Sequence, residues 1–573
     1  MYKKSAQSTL PTLFEGYTQH LSGSRLAKLE DPTGWQNYFY KEITSRINED
    51  LFLPLYHHEL GRVNASVRIL ISMMILKDGN DWTDEQLFSE CDFNILVQRA
   101  LGLTNFGDEI PSPATFYNFK LALLTYELDS GINLLDALFE SLTKDQIIRY
   151  KVSGKKIRMD SKLLHSNVAK TTRLQMSLGV IRKFYNSLSE VEKALIDYKD
   201  SELLSGILEK KPEQYTYGLA KDTAAEQLIK VGQLTFYLYS LFDGMQGSEY
   251  KILGRLLKEH FDVTESENDP SQDITPKNMK DQGGTPLQTA HDPQATYRNK
   301  KGSKKQIITG YVSNITETCK EVTKEDDKPL NLITNVQTTP ASTSDDKFFP
   351  SAVSRTQAIL NDKIEVTITD GGYNSASNEE LSRLPESAFK FYTTAIQGPK
   401  SNYDYELQED GNYKVTNQTT GKEQIATLHE KNGTYRIKAE GKSYMYRYIP
   451  KKTIINYFRR KQMESYPDWV YGLRANSEST IHQVFCKLNG PKTKYRGLFQ
   501  HQTYVLNRAI WTNFRRINKY KRDFNKKTTK CQFFALTAMV KAVDIILNIT
   551  NKLLRNRQTL FGLFVNPDLR RGF

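Results

Sequence analysis

Three acidic side chains, far apart in the chain, stand in settings suited to phosphodiester chemistry: Asp160, Asp370 and Glu478. Asp160 falls in Lys155-Lys-Ile-Arg-Met-Asp160-Ser-Lys-Leu163, where Ile157 and Met159 alternate with Arg158 and Asp160. That alternation predicts a strand with the aspartate off its apolar face. Asp370 closes the run from Lys363 and is followed by Gly371 and Gly372, which let the backbone turn and leave a carboxylate at a strand tip. Glu478 precedes Ile481, Val484, Phe485 and Leu488 by one helical turn, which predicts a helix with the glutamate continuing its buried stripe. A carboxylate on that side needs an arginine or a cation, and Arg474 lies four residues earlier on the same face. Carboxylates converging from separate elements can hold two divalent ions roughly 3.5–4 Å apart, one at the attacking oxygen and one at the leaving oxygen. Magnesium prefers such oxygen donors. Taken singly, the first two acids read more simply as a solvent-facing strand residue and an Asp-Gly-Gly turn, and the third reads equally well as half of a surface ion pair.

The elements that must position these acids can be read from patterning. Val67, Leu70, Ile71, Met74 and Ile75 fall at helical spacing, Thr83 to Gln86 has the form of a capping box, and Ser112-Pro113 opens a third helix. Such a unit, over residues 61–145 after a leader at 1–60, is either a structural bundle or a helix-turn-helix presenting Thr115 to Asn118 to a DNA groove. Leu178, Ile181, Tyr185 and Leu188 predict one buried helix face, and Leu234 to Phe242 predict a more deeply buried helix. The polar stretch from Thr264 to Lys305 predicts an exposed loop. Strands are predicted at 306–315, 331–338 and 363–370, with a helix over 345–360 before the last. That order implies an α/β core whose last strand is reached by a crossover. Polar turns at 409–412 and 430–433 divide alternating runs, so residues 391–450 predict a β-rich unit. From Lys451 the chain is helical and basic, including Arg515, Arg516, Lys519, Lys521, Arg522, Lys526 and Lys527.

Bulk properties narrow the partners. The chain has 573 residues, more than one core usually serves, and a net charge of +13, which suits a polyanion or simply makes a basic surface. Its four cysteines, Cys91, Cys319, Cys486 and Cys531, form no C-x-x-C pair, which argues against a zinc site or a disulfide framework. The first residues hold no apolar run of signal-peptide length, and Phe533 to Ile549 contains Lys541 and Asp544, so a packed helix is expected there and no membrane span. These points predict a cytoplasmic, nucleoid-associated protein. No P-loop sequence occurs. His57-His58, His165 and His482 read as packing or surface residues.

Asp160-Ser-Lys-Leu163, Thr369-Asp370-Gly-Gly-Tyr373-Asn-Ser375 and the Tyr471/Arg474/Glu478 segment resemble the three acidic motifs of bacterial insertion-sequence DDE transposases. The similarity is to the eleven-eighty-two group of the IS-four-like superfamily. It extends to Ile69–Leu103, to Pro113–Lys120 and to Lys494-Tyr-Arg-Gly-Leu498. The superfamily pattern Tyr-x2-Arg-x3-Glu-x6-Lys is met up to Glu478 and then fails, because Phe485 stands at the lysine position and the nearest lysine is Lys487. Asp292, in His291-Asp-Pro-Gln-Ala295, also resembles a family segment and is read as a loop or supporting residue.

The resemblance implies a ribonuclease H-like core with the first acid on its first strand and the second after its fourth. It implies a core over 150–390 with a helical insertion at about 171–285, a β-rich insertion at 391–470 that helps hold element ends, and completion of the core with basic helices over 471–573. Asp160, Asp370 and Glu478 would be the catalytic acids and the ligands of two Mg2+ ions, with Mn2+ able to substitute, and Asp160 would bridge both. Tyr471, Arg474, Lys487 and Arg496 would contact DNA. The partner would be double-stranded DNA, both element terminal repeats and target, bound by a homodimer. The alternatives are a nuclease that hydrolyses without joining, and a non-enzymatic DNA-binding protein derived from a transposase.

Overall fold

In the computed structural model, residues 2–4 and 16–524 are described, apart from 58–62, 106, 265–273, 279, 283–284, 301–305, 322–328, 386–387, 397, 440–444 and 489; beyond 524 only 539, 541 and 549–550 are. Cys531, Lys526, Lys527 and most of the apolar run from Phe533 lie outside the described residues.

The helical unit contains α1 (Val67–Asn80), α2 (Asp84–Phe93), α3 (Ile95–Leu101), α4 (Pro113–Ser130) and α5 (Leu134–Tyr150). The capping box at Thr83 and Gln86 forms, and Ser112 caps α4 with Pro113 in its first turn, as predicted. From Leu70 to Gly79 every residue of α1 is buried, so this helix is the centre of the unit. Phe39, Ile43, Ile47 and Phe52 share that core, so the packing starts well before residue 61. On α4, Phe116 and Phe119 are packed while Tyr117 and Asn118 face outward.

The main sheet is six-stranded. Its strands are β1 (Lys156–His165), β2 (Thr296–Lys300), β3 (Gln306–Thr318), β4 (Ile333–Pro340), β5 (Val366–Thr369) and β6 (Lys390–Thr393). Each predicted strand is present, and Asp370 falls one residue past the end of β5. β1 lies between antiparallel β3 and parallel β5; β6 continues in parallel from β5, while β2 and β4 pair with β3. The crossover to β5 runs through α9 (Phe349–Leu360), inside the predicted 345–360 helix. One face of β1, with Ile157 and Met159, packs on Phe348, Phe349 and Val353.

Between β1 and β2 the chain forms α6 (Arg173–Ser187), α7 (Lys221–Leu241) and α8 (Ser248–His260), which share a core of their own. Leu178, Ile181 and Leu188 are buried, as predicted. The segment near Leu234 is buried along one face only: Leu234 and Leu238 are inside, but Leu241 is exposed, because α7 has helices on one side and water on the other. Residues 403–450 form a separate five-stranded antiparallel sheet, packed on α10 (Lys451–Glu464). The helix α11 (Asp468–Phe485) and a long helix, α12 over 498–524, follow.

The second face of β1 is polar yet covered. Arg158, 4% exposed, donates from Nε to Glu317 Oε1 on β3 at 2.6 Å and from Nη1 to the Leu473 carbonyl of α11 at 2.8 Å. Glu317 also accepts from Arg516 Nη1 of α12 (2.6 Å) and from Thr480 Oγ1 of α11 (2.6 Å). Burial alone would push the Glu317 carboxyl up, but Arg516 and Arg158 outweigh it and hold the carboxyl below its ordinary range. One carboxylate thus joins two strands and two helices.

Removing one partner of a buried ion pair typically costs about 3–5 kcal/mol, because the others stay buried and uncompensated. Glu317→Gln should therefore lose about 3–5 kcal/mol in urea unfolding at pH 7. A carboxyl lowered on folding stabilises above its unfolded value, here 4.5, and loses that contribution as pH falls through the folded value. The gap between Glu317→Gln and the native protein should accordingly narrow below pH 4.5.

Candidate active site

Asp160 lies two residues past Arg158 on the same face of β1. β1 pairs with β5 in parallel at Arg158↔Ile368, and extending that register by two residues sets Asp160 beside Asp370. Neighbouring strands lie about 4.8 Å apart, so the two carboxylates project from adjacent backbones. The turn after β5 is built for this. Asp370 caps the short 3-10 turn Gly371–Tyr373, its Oδ1 accepting from Gly372 N at 2.9 Å. A Cβ on Gly371 would come within 2.1 Å of the Ala395 carbonyl, and one on Gly372 would stand 2.8 Å from Asp345 Oδ2 and 3.1 Å from Asp370 Oδ1. Close approach of backbone, rather than unusual φ, is what requires glycine at 371, while at 372 a side chain would crowd the two carboxylates.

Helix α11 crosses this face of β1. Arg158 holds the Leu473 carbonyl, and the next residue, Arg474, reaches down between the two acids. Its Nη1 is 3.2 Å from Asp160 Oδ2 and its Nη2 is 4.0 Å from Asp370 Oδ2. The Asp160 side chain is 15% exposed and that of Asp370 37%, so the pair sits at the floor of the surface rather than inside the core. Burial raises the Asp160 carboxyl above the usual aspartate range; Arg474 opposes that rise, and the negative charges of Asp370 and Glu478 add to it. Tyr373, fully buried, donates to Asn314 Oδ1 at 2.7 Å, and its phenol is pushed well up by burial and then by Asp345, Asp160 and Asp370. It remains a neutral hydrogen-bond donor beside the acids.

Glu478 corrects a prediction. The buried stripe of α11 is Val470, Leu473, Ser477, Thr480, Val484 and Phe485, and Glu478 is exposed. One residue past Ser477 rotates a side chain by about 100°, which carries Glu478 off the stripe that Val484 and Phe485 do follow. Among the described residues it has no hydrogen-bond or ion-pair partner, so neither the predicted buried setting nor a surface ion pair with Arg474 forms. It is still near enough to act electrostatically on Asp160. Asp160, Asp370 and Arg474 are therefore brought together, with Glu478 one helical turn from the arginine.

The donor set is carboxylate oxygen, the kind hard divalent cations take, and a guanidinium already stands between the two aspartates as a positive stand-in. Among the described residues, no three His, Cys, Asp or Glu side chains are grouped closely enough to hold a metal ion as they stand. The pair fits a cation; Glu478 would have to turn inward to become its third ligand.

The other predicted contact residues are distributed around this centre. Tyr471 is 39% exposed, with its hydroxyl donating to the Met463 carbonyl at 2.7 Å. Lys487 is exposed, and Phe485, at the expected lysine position, is 6% exposed within the large core, where a lysine would bury its ammonium among apolar side chains. Arg496 is exposed, its Nε donating to the Asn167 carbonyl at 2.7 Å. Asp292 is a buried support: it accepts from Ser166 Oγ and Tyr311 Oη, both at 2.5 Å, and from Gly497 N at 2.9 Å. Arg516 corrects the expectation of an outward basic helix, since it is committed inward to Glu317. Residues that sequence reasoning missed are Arg158, Glu317, Thr480 and Asp345; the last accepts from Ser161 Oγ at 3.0 Å and pairs with Arg298 at 3.2 Å. Arg158 carried a signal, being a charge on a strand position that the same alternation assigned to Asp160.

Residues 28–121 match the family described as Transposase domain (DUF772). The match covers the helical unit from its first short helices into α4, and it supports a transposase. No curated protein and no solved structure matches the chain. Among the described residues no helix is long and apolar enough to cross a membrane.

A carboxyl raised on folding favours the fold below its unfolded value, 3.8, and loses that contribution as pH rises through the folded value. Ionised Asp160 thus costs stability at neutral pH. In cation-free buffer at pH 7, Asp160→Asn should unfold at higher urea than the native protein, and the difference should vanish below about pH 3.8. A less stable Asp160→Asn at pH 7 would mean that the carboxylate is a structural group.

Proposed function

We propose that this chain is a DDE transposase that cuts DNA at element ends and joins the freed ends to target DNA. The observation that carries the reading is the meeting of Asp160 and Asp370 on one guanidinium of the helix that also bears Glu478. The family match over residues 28–121 independently supports a transposase, without bearing on the acids. A ribonuclease H-like core is supported by the sheet: setting aside β2, three antiparallel strands precede two parallel ones, with Asp160 on the first and Asp370 directly after the fourth.

Asp160, Asp370 and Glu478 would hold the divalent cations. When bound, those ions supply Lewis-acid activation of the attacking oxygen and charge neutralisation at the leaving one. Arg474 and Tyr471 lie on the same helix and would orient the end phosphate, with exposed Lys487 and Arg496 following the backbone beyond. In cleavage, water attacks the phosphodiester and a 3′-hydroxyl leaves. In joining, that hydroxyl attacks a target phosphodiester, so one P–O bond forms as another breaks and no nucleotide cofactor is needed. Positioning and charge stabilisation are the main catalytic contributions of the protein. Two element ends call for two copies, and a homodimer on DNA is the assembly we propose.

The test uses duplex DNA carrying the element ends with Mg2+. Asp160→Asn, Asp370→Asn and Glu478→Gln should each lose cleavage by about a thousandfold, several kcal/mol of transition-state stabilisation, while still binding end DNA. Retained cleavage in Asp160→Asn rejects the site. With pre-cut ends, joined product is expected; hydrolysis without joining would leave a nuclease, and binding without either would leave a DNA-binding protein.

A further inference from the structure

Arg474 is held in an unusual way for a buried guanidinium. Its side chain is 15% exposed, its Nε is buried without a hydrogen-bond partner, and its ion pairs are to Asp160 and Asp370. Its remaining contact is with Ser477 Oγ, which itself donates to the Arg474 carbonyl at 2.7 Å. Among the described residues the two carboxylates are its only charged partners, and Ser477 is its one other hydrogen-bond partner. Glu478, one turn further on, is in the opposite condition, a carboxylate on the exposed side of α11 with no hydrogen-bond or ion-pair partner among the described residues. Two carboxylates side by side in partly desolvated surroundings need a positive charge between them, and Coulomb repulsion forbids two cations in the same place.

We infer that Arg474 is a placeholder for the cation: it neutralises Asp160 and Asp370 in the unloaded protein, competes with a divalent ion for that position, and turns outward along α11 as the ion enters. The outward turn frees the guanidinium for a DNA phosphate and vacates the space into which Glu478 can turn. Cation loading and phosphate capture are then two ends of one side-chain movement. This inference rests on the cation-dependent reading of the site.

The experiment titrates the full-length protein with Mn2+, and separately with Tb3+ followed by luminescence, in the absence of DNA. Arg474→Gln should bind Mn2+ at least about tenfold more tightly than the native protein, because the competing charge is gone. Arg474→Lys, which keeps the charge, should stay close to native affinity. Asp160→Asn should abolish the gain in the Arg474→Gln background. Equal or weaker binding by Arg474→Gln, or a gain that survives Asp160→Asn, overturns the proposal. A second measurement needs no variant: phenylglyoxal labelling of Arg474, mapped by mass spectrometry, should accelerate when Mg2+ is added to the native protein, and an unchanged or slower rate overturns the proposal. A protein that cleaves DNA with Mg2+ but fails these tests loses only the placeholder role; one in which no variant binds a cation and no cleavage occurs loses the site as well.

Discussion

The buried Glu317 carboxylate is the constraint on which the candidate site depends. It is 1% exposed and is held by Arg158 of β1, Arg516 of α12 and Thr480 of α11. Arg158 uses its second branch to hold the Leu473 carbonyl. Those bonds fix the height and rotation of α11 above β1, and the next residues inherit the result: Arg474 overlies Asp160, and Glu478 follows one turn later. A helix packed there by apolar contact alone could slide by a turn at modest cost. The polar contacts resist that slide, because a slip of α11 would break the Thr480 bonds to Glu317 and Arg516 and leave Nη1 of buried Arg158 without the Leu473 carbonyl.

A second buried network fixes the other end of the same frame. Asp78 of α1 accepts from Tyr495 Oη at 2.5 Å and from Asn507 Nδ2 at 2.7 Å, while Arg508, 1% exposed, donates to the Asp78 carbonyl at 2.8 Å. The helical unit is thereby tied to α12, which Arg516 ties to the sheet. Glu317 and Asp160 differ in the sign of their shift, while Asp78, enclosed by its partners, is raised by burial as Asp160 is. Glu317 gains from ionisation on folding, whereas ionised Asp160 is held against its preference. What sets Asp160 apart from Asp78 is a second carboxylate beside it and a side partly open to solvent, the setting that the proposed reaction requires.

Much of the architecture was legible in the sequence, and the reasons differ by element. Strand β1 and the turn after β5 follow from local alternation and from Asp370-Gly-Gly, and both acids lie on those elements. The caps at Thr83 and Ser112 are short-range chemistry and form as written. Glu478 was misplaced because periodicity locates a stripe without its edges; Ser477 and Thr480, small and polar, carry the buried face where apolar residues were expected. The roles of Arg158, Glu317 and Arg516 could not be read locally, since their partners lie at separations of 159 and 199 residues. Arg516, one of a run of basic residues in the sequence, is thus turned inward as a partner of a buried carboxylate in the fold. The missing lysine at Phe485 was legible as a departure, and the packing explains it: that position faces the core.

The central claim is that Asp160, Asp370 and Glu478 form one cation-dependent centre for phosphodiester chemistry. Anomalous diffraction from crystals of the protein bound to element-end DNA and soaked in Mn2+ tests it most directly. The account predicts manganese peaks bounded by Asp160 and Asp370, with Glu478 turned in to join them. Manganese bound elsewhere, or the scissile phosphate remote from these three side chains, would contradict it.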